Sequence, residues 1–428
     1  GWISPWNIQS AIAQVTDEVA LELTARGHSV TILRSEVGEA RDLALRPSGM
    51  PSVHLDERSD FDIRSEFDFL LVNIGNNYPF HGAAIDRLAR LRPIAIFHDM
   101  MLLGLALGWA HRSGGQGERE LRALPLRSYG IGALAADEPL ADWSIMEIAA
   151  KRRPMTEWIA RQCSGAVVHA EHYFNRVNEA CLGRVALIPL AATYPDLPPR
   201  APWWGRLTIA TVGHANPNKR IDQILFAIAA SPTLRPLCRV RVIGPAAEGE
   251  RRRLTRLAMT LGVEPPEFTG WVSDESLRWQ LRDVDVISCL RSPILEGGSA
   301  SLILGMLSGR PTAVSGHGCY VDPPADTLMR CTPGREALDL MLHLEHFLKD
   351  PQWGWCMADK ALAYAQEKLA PSAYTDALLA HLEGSVEGRP VIEAVIAVRA
   401  MGEEIGLPWG EPGLTRFENV ISELTAIH

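Results

Sequence analysis

At 428 residues the chain is too long for one ordinary domain and predicts two or three. Apolar content of 47% suffices for large cores, yet no stretch approaches the roughly 18 uncharged apolar residues of a membrane span. A net charge of −9 argues against a nucleic-acid protein, whose affinity would come from excess Lys and Arg neutralising phosphates. Arginine outnumbers lysine, which favours local anion grips over a general basic field. The seven cysteines are scattered without a CxxC pair and read as reduced core residues, neither a disulfide frame nor a zinc site. No leader-like stretch precedes the first predicted helix, so the expected location is cytoplasmic, at the inner face of the membrane if a partner is lipid-linked.

In chain order, residues 2–7 read as a short apolar, turn-like opening. A helix follows from about Gln9 to Arg26, with Ile12, Val15, Val19 and Leu23 on one stripe and Gly27 as its stop. Ser29 to Leu33, Phe69 to Asn73 and Pro93 to Phe97 are apolar runs too short for helices and predict strands, with a helix over 83–91 between the last two. Strands alternating with helices imply parallel pairing with both faces covered. From Gly104 to about Arg161 the pattern loosens around the flexible Ser113–Gly117, and the stretch reads as an insertion. Regularity returns with a strand over 165–169, a helix over 171–182 and a strand over 185–189. Residues 191–202 carry four prolines and no periodic core pattern, which marks the expected domain boundary.

A second alternating set follows: strand 207–212, helix 220–230, strand 239–243, helix 248–261, a strand near Phe268, helix 274–281 and strand 284–289. Next come a polar loop with Glu296, Gly297, Gly298 and Ser299, an apolar helix, Gly309-Arg310-Pro311 and another strand. Helices are predicted over about 335–349, 353–368, 371–382, 390–401 and 414–427. The expected division is 1–200, 201–385 and a helical tail at 386–428 that crosses back to the first domain or forms a homo-oligomer contact. Two doubly wound halves leave one crevice, and ligands in such sheets sit outside the carboxyl ends of the strands.

The glycine pair lets backbone approach a ligand, and the helix start behind it offers unpaired N–H groups and a positive dipole end, as an anion site requires. Gly213-His214-Ala215-Asn216-Pro217-Asn218-Lys219-Arg220 also follows a strand and opens a helix, so its cations can reach a diphosphate. Gly244, and Gly270-Trp271-Val272, end strands and suit backbone contacts with a flat base.

In this order and spacing, TVGHANPNKRID, RVIGP, FTGWV, DVDVISCLRSPILEGGSAS and GRPTAV resemble the retaining nucleotide-sugar glycosyltransferases of family 4. The resemblance covers 207 to about 322 well. It is patchy before that, through Ala11-Ile12-Ala13, Arg26-Gly27-His28 and Phe97-His98-Asp99. It implies a GT-B fold, two Rossmann-like doubly wound α/β domains facing across a cleft, with no cofactor and no metal beyond a nucleotide-sugar donor such as GDP-mannose or UDP-hexose. It makes Lys219 a diphosphate ligand with Arg220 beside it, and places His214 where relatives have a second arginine. Glu296 falls on the first glutamate of the E-x7-E motif and would hold donor-sugar hydroxyls. Gly298, Ser299 and Ala300 would offer amides to phosphate. His98 would lie near the sugar, and Asp99 would orient it or touch the acceptor. Gln9, Ser10 and Ala11 would form the first-domain acceptor or phosphate loop.

Two departures stand out: Leu304 occupies the second glutamate position, and Ala11 replaces a glycine. The implied partner is a glycan or lipid-linked acceptor. The other readings are an NDP-sugar epimerase or hydrolase, and a non-catalytic binding protein. Asp283-Val284-Asp285 looks like a metal-holding DxD, but its valines alternate into a strand and favour a structural role. His169 with His172, and His343 with His346, have ligand-like spacing without a third ligand and read as surface or cap histidines.

Overall fold

The protein was described from a computed structural model, which covers residues 1–112, 150–193, 197 and 205–404. It divides into two units. The first comprises Gly1–Ala191, Leu295–Gly298 and the chain from Pro371, and the second Ala192–Ile294 and Ser299–Ala370. The changeover at Ala191 falls at the start of the proline-rich stretch, most of which lies outside the described residues, as do Ser113–Gly117 and the helix expected over 414–427.

The first unit is built on seven parallel strands. They are β1 (Trp2–Ser4), β2 (Ile32–Arg34), β3 (Ser52–His54), β4 (Leu71–Ile74), β5 (Ile94–Phe97), β6 (Gly165–Val168) and β7 (Val185–Leu187), in the order β3-β2-β1-β4-β5-β6-β7. The expected turn-like opening is thus a central strand. Three residues are too few to show a period, but Trp2, Ile3 and Ser4 are buried, all three pair with β2, and Trp2 and Ile3 pair with β4 as well. The edge strand β3 was unforeseen because Ser52-Val53-His54 is short and half-exposed. The helix expected over 83–91 is two pieces, Tyr78–Ile85 and Leu88–Leu91.

The Ala11–Ala25 helix starts where Ser10 Oγ accepts the Ala13 N–H at 3.2 Å. It buries Ala13, Val19 and Leu23 in a core shared with Trp6, Ile94 and Val167. Burying Val19 or Leu23 in this way contributes about 1.5–3 kcal/mol each. Tyr374, Leu378 and Leu382 of the Pro371–Gly384 helix complete that core, so the boundary expected at 385 falls at Pro371 instead. The Arg389–Glu404 helix also belongs to this unit.

The second unit holds β8 (Leu207–Val212), β9 (Cys238–Ile243), β10 (Glu267–Gly270), β11 (Val286–Cys289), β12 (Thr312–Ser315) and β13 (Met329–Cys331), all parallel in the order β10-β9-β8-β11-β12-β13. β13 is the one strand here that the sequence reading lacked. The core gathers Ile209, Val240 and Val286 from the sheet, Ile224 and Ile228 from the Ile221–Ala230 helix, and Leu340 and Leu344 from the Glu336–Lys349 helix.

Candidate functional site

In the first unit the chemistry gathers at the carboxyl ends of β4, β5 and β6, beside the point where strand order reverses between β1 and β4. Asn73 of β4 is buried, and its Nδ2 donates to Ser4 Oγ at 2.9 Å and Thr16 Oγ1 at 2.7 Å. With the Ser4 hydroxyl donating to Pro5 O at 2.9 Å and that of Thr16 to Ile12 O at 2.8 Å, both accept from Asn73. That fixes the amide, and its Oδ1 faces His98 Nε2 at 3.1 Å. His98 therefore carries its hydrogen on Nε2 and keeps the Nδ1 lone pair as an acceptor. Burial, then the neighbouring His169 and His81, hold the pKa of His98 well below 6.5, so the ring is neutral at pH 7.

Asp99 and Glu296 oppose each other in a single antiparallel bridge within this unit. It is closed by Gly297 N–H to His98 O at 2.9 Å and Met100 N–H to Leu295 O at 3.1 Å. Hydrogen bonds flanking the pair make it the closely spaced kind, with side chains adjacent. Burial raises the Asp99 pKa to about 6, the Glu296 charge adds to the rise, and the Asn76 N–H at 2.8 Å opposes it. Glu296 Oε2 also accepts the Leu295 N–H at 3.1 Å. Tyr173 lies underneath, donating to Phe97 O at 2.9 Å and accepting the His169 N–H at 2.8 Å. A Cβ on Gly297 would stand 2.5 Å from that hydroxyl, so glycine is required there for space. The amide of Gly297, one of the glycine pair read as open to a ligand, is instead spent on His98; Gly298 is half-buried against His169 and Leu190.

His169 is a site residue that sequence reading misassigned. Its ring centroid is 5.0 Å from that of His98, Nδ1 donates to Ile188 O at 2.8 Å, and Nε2 is buried without a hydrogen-bond partner. Burial depresses its pKa to about 4. Among the described residues no group of three or more His, Cys, Asp or Glu side chains could hold a metal ion. Asp285 instead accepts the Thr208 N–H at 2.8 Å, tying β11 to β8.

The first-domain loop offers less than expected. Gln9 N–H goes to Asn7 Oδ1 at 3.0 Å, Ser10 N–H goes to Asn7 O at 3.2 Å, and Ala11 is exposed as the first helical residue.

In the second unit β8, β9 and β10 end together. Gly213 N–H bonds Ile243 O at 2.8 Å, and Gly244 pairs with Gly270. A Cβ on Gly244 would fall 2.5 Å from Gly213 O at a φ of +142°, so only glycine fits. Lys219 is buried and its ammonium folds back to donate to Val212 O, beneath Gly213. Arg220 adopts a left-handed conformation, φ 50° and ψ 40°, uncommon outside glycine, and has Asp222 at 3.8 Å and Glu336 at 4.0 Å. His214 and Trp271 stand exposed, and Val272 is half-buried.

Ser299 caps the Ala300–Leu307 helix, accepting from Leu302 N–H at 3.3 Å and from Tyr320 OH at 3.0 Å. Ala300 is exposed at its first turn. Arg291, unforeseen, is buried and bonds Ser301 Oγ at 2.9 Å; an arginine just past a buried strand was the available signal. Lys219 and Arg291 thus concentrate positive charge at the carboxyl ends of β8 and β11, which suits an anion.

These features define the class of fold. Two parallel-sheet α/β units of seven and six strands match glycosyltransferase structures of the GT-B type. Among them is HepE of Anabaena in complex with UDP, with a TM-score of 0.61 and 14% identity over 90% of this chain and 99% of that one. Sucrose-phosphate synthase from Thermosynechococcus elongatus gives 0.58 and 14%, over 90% and 98%. WaaG, a glycosyltransferase involved in lipopolysaccharide biosynthesis, gives 0.53 and 13%, over 89% and 96%. At these identities the likeness shows the fold. No protein-family model and no curated protein matches the sequence.

Proposed function

We propose that the protein is a retaining glycosyltransferase of the family 4 kind, moving a hexose-type sugar from a nucleoside-diphosphate sugar to a hydroxyl of a glycan or lipid-linked acceptor, in cell-surface polysaccharide synthesis. The observation that carries this reading is the neutral, tautomer-locked His98 set beside the Asp99–Glu296 pair at strand ends of a GT-B fold. HepE, of the same fold, has been solved with UDP-glucose.

In this reading Lys219 and Arg220, with amides of the helix that Ser299 caps, stabilise the departing diphosphate. The bond from sugar C1 to the diphosphate oxygen breaks, and the acceptor oxygen bonds to C1 on the same face. The acceptor proton passes to the departing phosphate oxygen, so no protein nucleophile is used. Glu296 accepts from sugar hydroxyls and His98 Nδ1 accepts one more. Gly244, Trp271 and Val272 border the base. No helix among the described residues is long and apolar enough to cross a membrane, so contact with a lipid-linked acceptor would be peripheral.

The test is NDP release from UDP-, GDP-, ADP- and dTDP-hexoses with and without acceptors. Lys219→Ala or Glu296→Ala is expected to reduce transfer by at least about 10²-fold in folded protein. Full activity in the purified double variant sinks the proposal. A second reading, nucleotide-sugar binding without transfer, is favoured by Leu304, whose side chain cannot accept from hydroxyls where a glutamate is expected. It predicts stabilisation by about 2.7 kcal/mol at a hundred times the dissociation constant with no NDP released. NDP release or sugar interconversion without any acceptor would instead indicate a hydrolase or epimerase.

A further inference from the structure

The Glu248–Leu261 helix presents Arg251, Arg252, Thr255, Arg256 and Met259 along one face, at one-turn spacing. Beside it runs β10, the edge strand of the second sheet, and between them lies a groove of about 530 Å³. Among the described residues most arginines have carboxylate partners: Arg87 and Arg90 share Asp60, Arg241 meets Glu267, and Arg253 meets Glu250. In the groove Arg252 shares Glu248 at 3.8 Å, while Arg251 and Arg256 have no carboxylate partner among the described residues. Three guanidiniums against one carboxylate leave a local charge of +2 on a chain whose net charge is −9.

Arg252 and Arg256 are like charges one helical turn apart and repel, and among the described residues no carboxylate offsets Arg251 or Arg256. The opposite wall is apolar. Arg251 lies over the Phe268 ring at 5.3 Å to its centroid, and Met259 is 69% exposed at the far end. Guanidinium forks lining one groove suit the oxygens of a phosphate or diphosphate, and the Phe268 and Met259 side chains that line it with them suit an apolar or planar body attached to that group.

We propose that this groove binds a phosphate-bearing ligand with an apolar body, whether a soluble phosphorylated molecule or a phospholipid headgroup. The site is independent of the glycosyltransferase reading, since none of these residues belongs to it.

The experiment starts from the full chain carrying Lys219→Ala, so that diphosphate binding at that loop is already weakened. Inorganic pyrophosphate is titrated calorimetrically, and vesicles of phosphatidylglycerol or of phosphatidylcholine are co-sedimented. The same is done after adding Arg251→Gln with Arg256→Gln. Both arginines are exposed, so unchanged circular dichroism and Tm are expected and confirm that the variant is folded. The expected result is saturable binding of pyrophosphate or of phosphatidylglycerol vesicles that weakens at least about tenfold in the glutamine variant and falls with salt. Pyrophosphate binding identifies a soluble ligand, and binding to anionic vesicles alone identifies a headgroup. Binding of neither anionic probe, or binding unchanged by the two glutamines, overturns the proposal.

Discussion

Asn73 decides the chemistry of His98 through a single hydrogen bond. Its amide orientation follows from Ser4 and Thr16, whose hydroxyls donate to carbonyls and accept from its Nδ2. With Asn73→Ala, Nε2 loses its acceptor and the ring is free to change tautomer and turn. Transfer activity is expected to fall about 10²-fold with a smaller change in KM, as for a misplaced group in a preorganised site. Steady-state kinetics on folded variant would show it, and a change confined to KM would count against this role. Nothing in the run from Phe69 to Asn73 announces the interaction, since an asparagine ending an apolar strand reads as an ordinary boundary. His98, by contrast, is picked out by the family resemblance of Phe97-His98-Asp99 at the end of a buried strand.

The Leu295–Gly298 segment behaves as a short strand of the first unit, although Ile294 and Ser299 on either side of it belong to the second. Its closeness to Tyr173 gives a stability prediction. Gly297→Ala puts a methyl 2.5 Å from the Tyr173 hydroxyl and should destabilise by about 1–3 kcal/mol. Tyr173→Phe alone removes the hydroxyl that links Phe97 and His169, at about 1 kcal/mol. The double variant should be more stable than the sum of the singles by at least about 0.5 kcal/mol, because deleting the oxygen removes the closest contact and leaves only those at 3.0 Å to His98 O and Phe97 O. Urea denaturation of the four proteins decides it; additive losses would mean that the methyl is accommodated elsewhere. The glycine pair was legible as a special backbone position, but its cause was not. The sequence offered ligand approach, and the structure shows a tyrosine packed beneath Gly297.

Over the whole molecule, the titrating groups are unevenly placed. Burial holds His81, His169 and His381 at a pKa of about 4, and His98 well below 6.5, and all four lie in the first unit. Each binds its proton less readily folded than unfolded, so its contribution is fully present above pH 6.5 and is lost as pH falls towards about 4. Asp99, raised to about 6, acts in the opposite sense: its carboxyl is favoured when protonated, and that contribution is lost as pH rises through 6. Four histidines outweigh one aspartate, so the net loss between pH 7 and pH 5 is on the order of a few kcal/mol. The urea midpoint should be lower at pH 5 than at pH 7, with hydrogen exchange rising first in residues 1–191. A midpoint unchanged or raised at pH 5 would sink this account.

By itself the sequence determined the alternation of strands and helices, the parallel sheets, and the glycine-ended strands with Lys219 behind them. These depend on local periodicity and on residue types that few backbone conformations accept. The Leu207–Val212 strand and the Glu248–Leu261 helix were legible to the residue, because an apolar-rich run of six ending at Gly213 is too short for a helix and fourteen amphipathic positions carry a helical period. Only the tertiary structure decided that Trp2–Ser4 is a central strand, that Pro371–Gly384 belongs to the first core, that Asn73 locks His98, and that the Gly297 amide is spent on His98 rather than left for a ligand. Each of these is a pairing between residues far apart in the chain, and its energy comes from burial and hydrogen bonds that no local window contains.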